Sequence, residues 1–77
     1  MGMSYWLDTE GKAVVEVYSM SWERVRVLED PSRSVGAHAL AWDGKDERGR
    51  TVSTGLYLLV LTKPGGFEAA KVLVIRR

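Results

Sequence analysis

Apolar residues fall on every second position along almost all of the chain, and no window carries the i, i+3, i+4 stripe of an amphipathic helix. This alternation predicts six strands. The first runs from Ser4 to Asp8 and stops at the turn-prone Asp8-Thr9-Glu10-Gly11. The second covers Ala13 to Ser19, with Ala13, Val15 and Val17 on one face and Glu16 and Tyr18 on the other. The third is Arg24 to Leu28, broken by Glu29-Asp30-Pro31-Ser32 because proline cannot donate to a ladder. The fourth, His38 to Trp42, turns His38, Leu40 and Trp42 the same way, and a charged loop from Asp43 to Thr54 follows. The fifth, Leu56 to Thr62, is apolar on both faces, as a central strand is. Lys63-Pro64-Gly65-Gly66 then reverses the chain into the last strand, Phe67 to Arg76. Short strands with turn signals between them imply a small antiparallel sandwich or barrel.

The same alternation sets an expected register. A hairpin closed by Met20-Ser21-Trp22 faces Val15 with Val27 and Val17 with Val25 inward, and Glu16 with Arg26 and Tyr18 with Arg24 outward. A slip of one residue would carry charges into the core. Around Gly65-Gly66, Leu59 is expected opposite Val72 and Tyr57 opposite Val74, although a slip of two keeps every face.

Length and charge narrow the possibilities. Seventy-seven residues make one domain, 1–77, and a chain of this size buries only about 60% of the surface it exposes when unfolded. Eleven basic against ten acidic residues, a net charge of +1, give no field that would hold nucleic acid. Without cysteine there is no disulfide, thiolate metal site or thiol nucleophile, and compartment leaves no mark in the chain. The longest apolar run, Leu56 to Leu61, is too short to cross a bilayer, so no membrane insertion is expected. The opening Met1-Gly2-Met3-Ser4-Tyr5-Trp6 lacks the layout of a signal peptide.

The most informative segment starts at Gly36, with His38 two residues on, then Trp42-Asp43-Gly44-Lys45-Asp46, Gly49, and Gly55-Leu56-Tyr57. This series resembles the immunoglobulin-like domain of the flagellar hook-capping protein, a module that also recurs at the C-terminus of secreted and cell-surface bacterial proteins. Val15-Glu16-Val17-Tyr18, Val25 to Leu28 and Lys71 to Arg77 fit as well, so the likeness covers roughly residues 13 to 77. It departs in three places. Ser19 and Trp22 stand where the family usually has an aspartate and a turn glycine, and Met3-Ser4-Tyr5-Trp6-Leu7 replaces the Asn-Pro-rich opening strand. The resemblance implies an all-β, immunoglobulin-like or fibronectin-III-like sandwich of six to seven strands. It also implies a non-catalytic assembly module that docks a larger protein to an extracytoplasmic, surface or flagellar structure.

Residue chemistry gives the motif a structural role. Trp42 ends an inward series and suits a core anchor. Asp43 can accept backbone N–H groups of its own loop, Gly44 and Gly49 permit positive φ, and Gly55 allows close approach before Tyr57 packs inward. The rival reading takes Asp43, Asp46 and Glu47 as calcium ligands, but their spacing lacks the alternating carboxylates and terminal glutamate of a helix–loop–helix site. Gly44 to Thr51 misses the phosphate-loop signature by one residue, Arg50 for lysine, and no helix follows it. A lone His38 on an inward face, with no nucleophile elbow, makes no enzyme, and no cofactor is implied. Glu29-Asp30 reads as a solvated turn. Trp22, Arg24 and Arg26 could form an outward recognition stripe, but a ladder paired with Glu16 and Tyr18 is the favoured reading of those positions; Tyr5 and Trp6 offer a second apolar surface. The expected partner is a protein, or a second copy joined through the first strand, whose edge carries Met3, Tyr5, Trp6 and Leu7 and a single charge, Asp8. The alternative function is a metal- or anion-binding accessory domain centred on the 43–51 loop.

Overall fold

The computed structural model describes residues 2–75; Arg76, expected in the last strand, and Arg77 lie outside the described residues. Six strands form: β1 (Gly2–Leu7), β2 (Gly11–Ser19), β3 (Arg24–Arg33), β4 (Gly36–Ala41), β5 (Gly55–Lys63) and β6 (Gly66–Val74). They make a sandwich of two antiparallel sheets, one of β1 and β4, the other ordered β3-β2-β5-β6. Central β2 and β5 turn Ala13, Val15, Val17, Leu59 and Leu61 inward, and all are buried. Tyr5, Leu7 and Trp42 close over them from the other sheet. Packing of this inner face, rather than any strand propensity, holds such a small chain together.

Two bulges overturn the expected register of β3. Val15 faces Leu28 and Val17 faces Arg26, while Tyr18 does face Arg24. Val25 is therefore an extra residue with no partner across the ladder, and it exchanges the two faces of the strand. Beyond it the inward residues are Arg26, Leu28 and Asp30, not Val27. Nor does Pro31 end the strand. Between the pairs Gly11–Arg33 and Ala13–Asp30, β2 has one residue and β3 has two, Pro31 and Ser32. A proline inside a bulge on an edge strand is not asked for a ladder hydrogen bond.

The β5–β6 hairpin is shifted two residues from its expected register. Leu59 faces Ala70 and Tyr57 faces Val72, because Lys63 and Gly66 close a turn with only Pro64 and Gly65 at its corner. Pro64 presets φ and Gly65 takes φ 90°, the combination a tight type II reversal requires. Faces are unchanged.

Candidate functional site

The segment from Trp42 to Tyr57 forms a compact loop tied down at both ends. Trp42 is 1% exposed, and its Nε1–H donates to Lys45 O at 3.0 Å. Tyr57 meets the indole edge-on at 5.5 Å, and its hydroxyl donates to Ser53 O at 2.8 Å. Two core aromatics thus hold the first and last turns of a loop that has no core of its own. Gly44 and Gly49 reverse the chain at φ 77° and 79°. Val52 N donates to Gly44 O at 2.9 Å, and Asp46 N to Arg50 O at 2.8 Å. Gly55 is not required by close approach, since a side chain there would meet open space.

The loop carboxylates are spent on the loop's own amides and on β3. Asp43 Oδ1 accepts from Lys45 N at 3.0 Å and from Arg26 Nη1 at 3.2 Å. Asp46 Oδ1 accepts from Arg48 N and Arg50 N at 2.9 and 3.0 Å. Those amides, Arg50's first, hold the Asp46 carboxyl below its ordinary value. Glu47 turns to β3, accepting from Val27 N at 2.6 Å while its own N donates to Val25 O at 3.2 Å. The three carboxylates proposed as calcium ligands therefore face different donors, and no cluster of three or more metal-ligating side chains occurs among the described residues.

Arg26 corrects the expected outward stripe. Its side chain is 24% exposed and turns under the loop, reaching Asp43 and also Lys45 O at 3.0 Å. Arg24 remains outside, paired with Glu16 at 3.1 Å. Trp22 is 71% exposed and lies beside exposed Met20 at the tip of the β2–β3 hairpin. Its φ of 65° is the left-handed value that a turn glycine adopts freely. The expected apolar surface at Tyr5 and Trp6 is divided by the pleat: Trp6 is exposed, but Tyr5 is buried.

Tyr5 leads to a cluster that the sequence hid. Asp30, expected in a solvated turn, is 3% exposed on the inner face of β3 and accepts the Tyr5 hydroxyl and Arg33 Nη2, the latter at 2.9 Å. Burial, then the bond to Asp30, push the Tyr5 phenol up to about 12. The Tyr5 bond, then Arg33, hold Asp30 below its ordinary value despite its burial. His38 packs on this cluster, its ring 5.7 Å from Tyr5 and its Nε2 2.7 Å from Ser34 O. The only signal in the sequence was Arg33 three residues after Asp30.

The family model of the FlgD Ig-like domain matches residues 4–66. The chain belongs to the FlgD Ig-like domain family. The match takes in β1, which the residue-by-residue likeness had left out, and ends at the β5–β6 turn. Among solved structures, FlgD from P. aeruginosa superposes with a TM-score of 0.76 at 20% identity, covering 94% of this chain and 60% of that chain. That likeness is one of fold, and this chain spans three-fifths of that relative. No curated protein matches. Within the FlgD Ig-like fold seen here, no helix among the described residues is long and apolar enough to cross a membrane.

Proposed function

We propose that the chain is a non-catalytic docking module that attaches a larger protein to a bacterial flagellar or cell-surface structure by protein–protein contact. Membership of the FlgD Ig-like family supports the class of module. Trp22 carries the docking role. A non-glycine residue in left-handed backbone costs on the order of 1–3 kcal/mol, and such strain persists where it serves a purpose. The only ring near the exposed indole among the described residues is Tyr18, 6.0 Å away and tilted. Tryptophan beside methionine and arginine is the composition of interface anchors.

The test is Trp22→Gly in the protein that carries this module. The variant is expected to fold at least as well and to lose retention in the surface fraction. Unchanged retention in Trp22→Gly and in Met20→Lys overturns the reading. So does a saturable calcium-dependent shift of amides confined to residues 43–51, which belongs to the metal-binding alternative.

A further inference from the structure

The first strand was expected to be the associating edge, but the core absorbs most of its apolar side chains. Tyr5 and Leu7 are buried, and Trp6 alone stays exposed among its large ones. The apolar excess lies elsewhere. On the outer face of the β5–β6 hairpin Phe67 is 75% exposed, Leu73 58% and Leu56 45%. Lys71 is the one charge that this hairpin face presents between them. β6 also ends its sheet, and no strand among the described residues pairs with its far side. The opposite edge of that sheet, β3, is covered by Glu47 of the loop. The Val25 to Val27 stretch of one edge is thus occupied, and the other edge is bare among the described residues.

We infer that the bare edge takes a second copy of this chain, β6 pairing antiparallel with β6 about a two-fold axis at Ala70. Ladder hydrogen bonds alternate, so counting from the closing pair Lys63–Gly66 directs the N–H and C=O of Phe67, Ala69, Lys71 and Leu73 away from β5. A two-fold axis normal to the sheet keeps the faces, so only residues of one face meet their counterparts. Centred on Lys71, two lysines would stand opposite each other; centred on Glu68, two glutamates would. Centred on Ala70, Phe67 meets Leu73 of the second copy, Ala69 meets Lys71, and Glu68 meets Val72. No like charges oppose, the outward hydrogen-bonding groups are matched, and the two most exposed large apolar side chains within β6 cover each other. A self-complementary patch of this kind closes as a dimer.

Sedimentation of the whole chain over a concentration series tests this, with three variants at exposed positions. Ala69→Lys sets a lysine against Lys71 of the other copy twice over, and is expected to weaken the dimer at least about tenfold. Adding Lys71→Glu to Ala69→Lys turns both contacts into ion pairs and restores the dimer. Ser4→Lys, on β1, leaves association unchanged. A chain that stays monomeric at high micromolar concentration overturns the inference. So does a dimer that ignores Ala69→Lys, one that the double variant does not rescue, or one that Ser4→Lys disrupts. None of these outcomes depends on the docking role of Trp22.

Discussion

Arg24 and Arg26 are two residues apart and held in different ways, and the bulge at Val25 is the reason. Arg26 lies under the loop, its guanidinium shared between Asp43 and backbone carbonyls. Arg26→Ala should cost about 1 to 1.5 kcal/mol in denaturant unfolding, because Asp43 and two loop carbonyls lose the charged donor that ties them to β3. Arg24 forms a surface pair with Glu16, and Arg24→Ala should stay within about 0.5 kcal/mol. Equal losses would place both side chains in the same environment. Trp22→Gly should raise stability by about 0.5 kcal/mol, since relief of left-handed strain slightly outweighs the added freedom of the unfolded chain. At this scale the sequence was legible where one residue meets one need: Trp42, Asp43, Gly44 and Gly49 stand where their chemistry placed them. Asp30 and Tyr5 were misread because each satisfies the other across 25 positions of sequence, and no local pattern announces such a partner.

Elements were legible by their period, and their registers by nothing so simple. All six strands start within two residues of their expected positions, because alternation follows from burying one face, while β3 runs five residues past its expected end. A bulge adds one residue without altering composition, and the count of inward positions fails from there on. The loop after Trp42 likewise shows its turns in sequence but not its destination, which is the edge of β3. Glu47 occupies that edge with its carboxylate and its amide, as a paired strand would. Glu47→Ala should speed hydrogen exchange of the Val27 amide while amides of β5 keep their protection, with a global loss of about 1 kcal/mol. Unchanged exchange at Val27 would mean the loop does not seal the strand. Asp43→Ala should cost about 1 kcal/mol equally with and without calcium, since its oxygen serves Lys45 N and Arg26. A loss confined to calcium-containing buffer would make it a ligand instead.

For the whole molecule these local bonds define a pH window of stability. Asp30 and Asp46 are both held below the ordinary carboxylate value. A group depressed in the folded state contributes fully above its unfolded value, about 3.9, and that contribution is lost as pH falls through the folded value. Tyr5 acts in the other direction. Raised from 10.0 to about 12, it contributes fully below its unfolded value, and that contribution disappears as pH rises toward the folded one. Tyr18, raised chiefly by its bond to Glu16, adds to the same limb. Stability should therefore form a plateau from about pH 5 to 9, with an acid limb set by carboxylates and an alkaline limb set by phenols. Thermal melts across that range can separate the groups. Tyr5→Phe should lower the plateau by about 1 to 3 kcal/mol, because buried Asp30 loses a donor. It should also flatten most of the alkaline limb, leaving the smaller part due to Tyr18. Asp30→Asn should remove its share of the acid limb, leaving that of Asp46. By removing the charge that opposes a tyrosinate it should also shorten the alkaline limb, because the folded pKa of Tyr5 falls back toward its unfolded value. An alkaline limb that keeps its full slope in Tyr5→Phe would show that the buried phenol and carboxylate are not the pair that joins the two sheets.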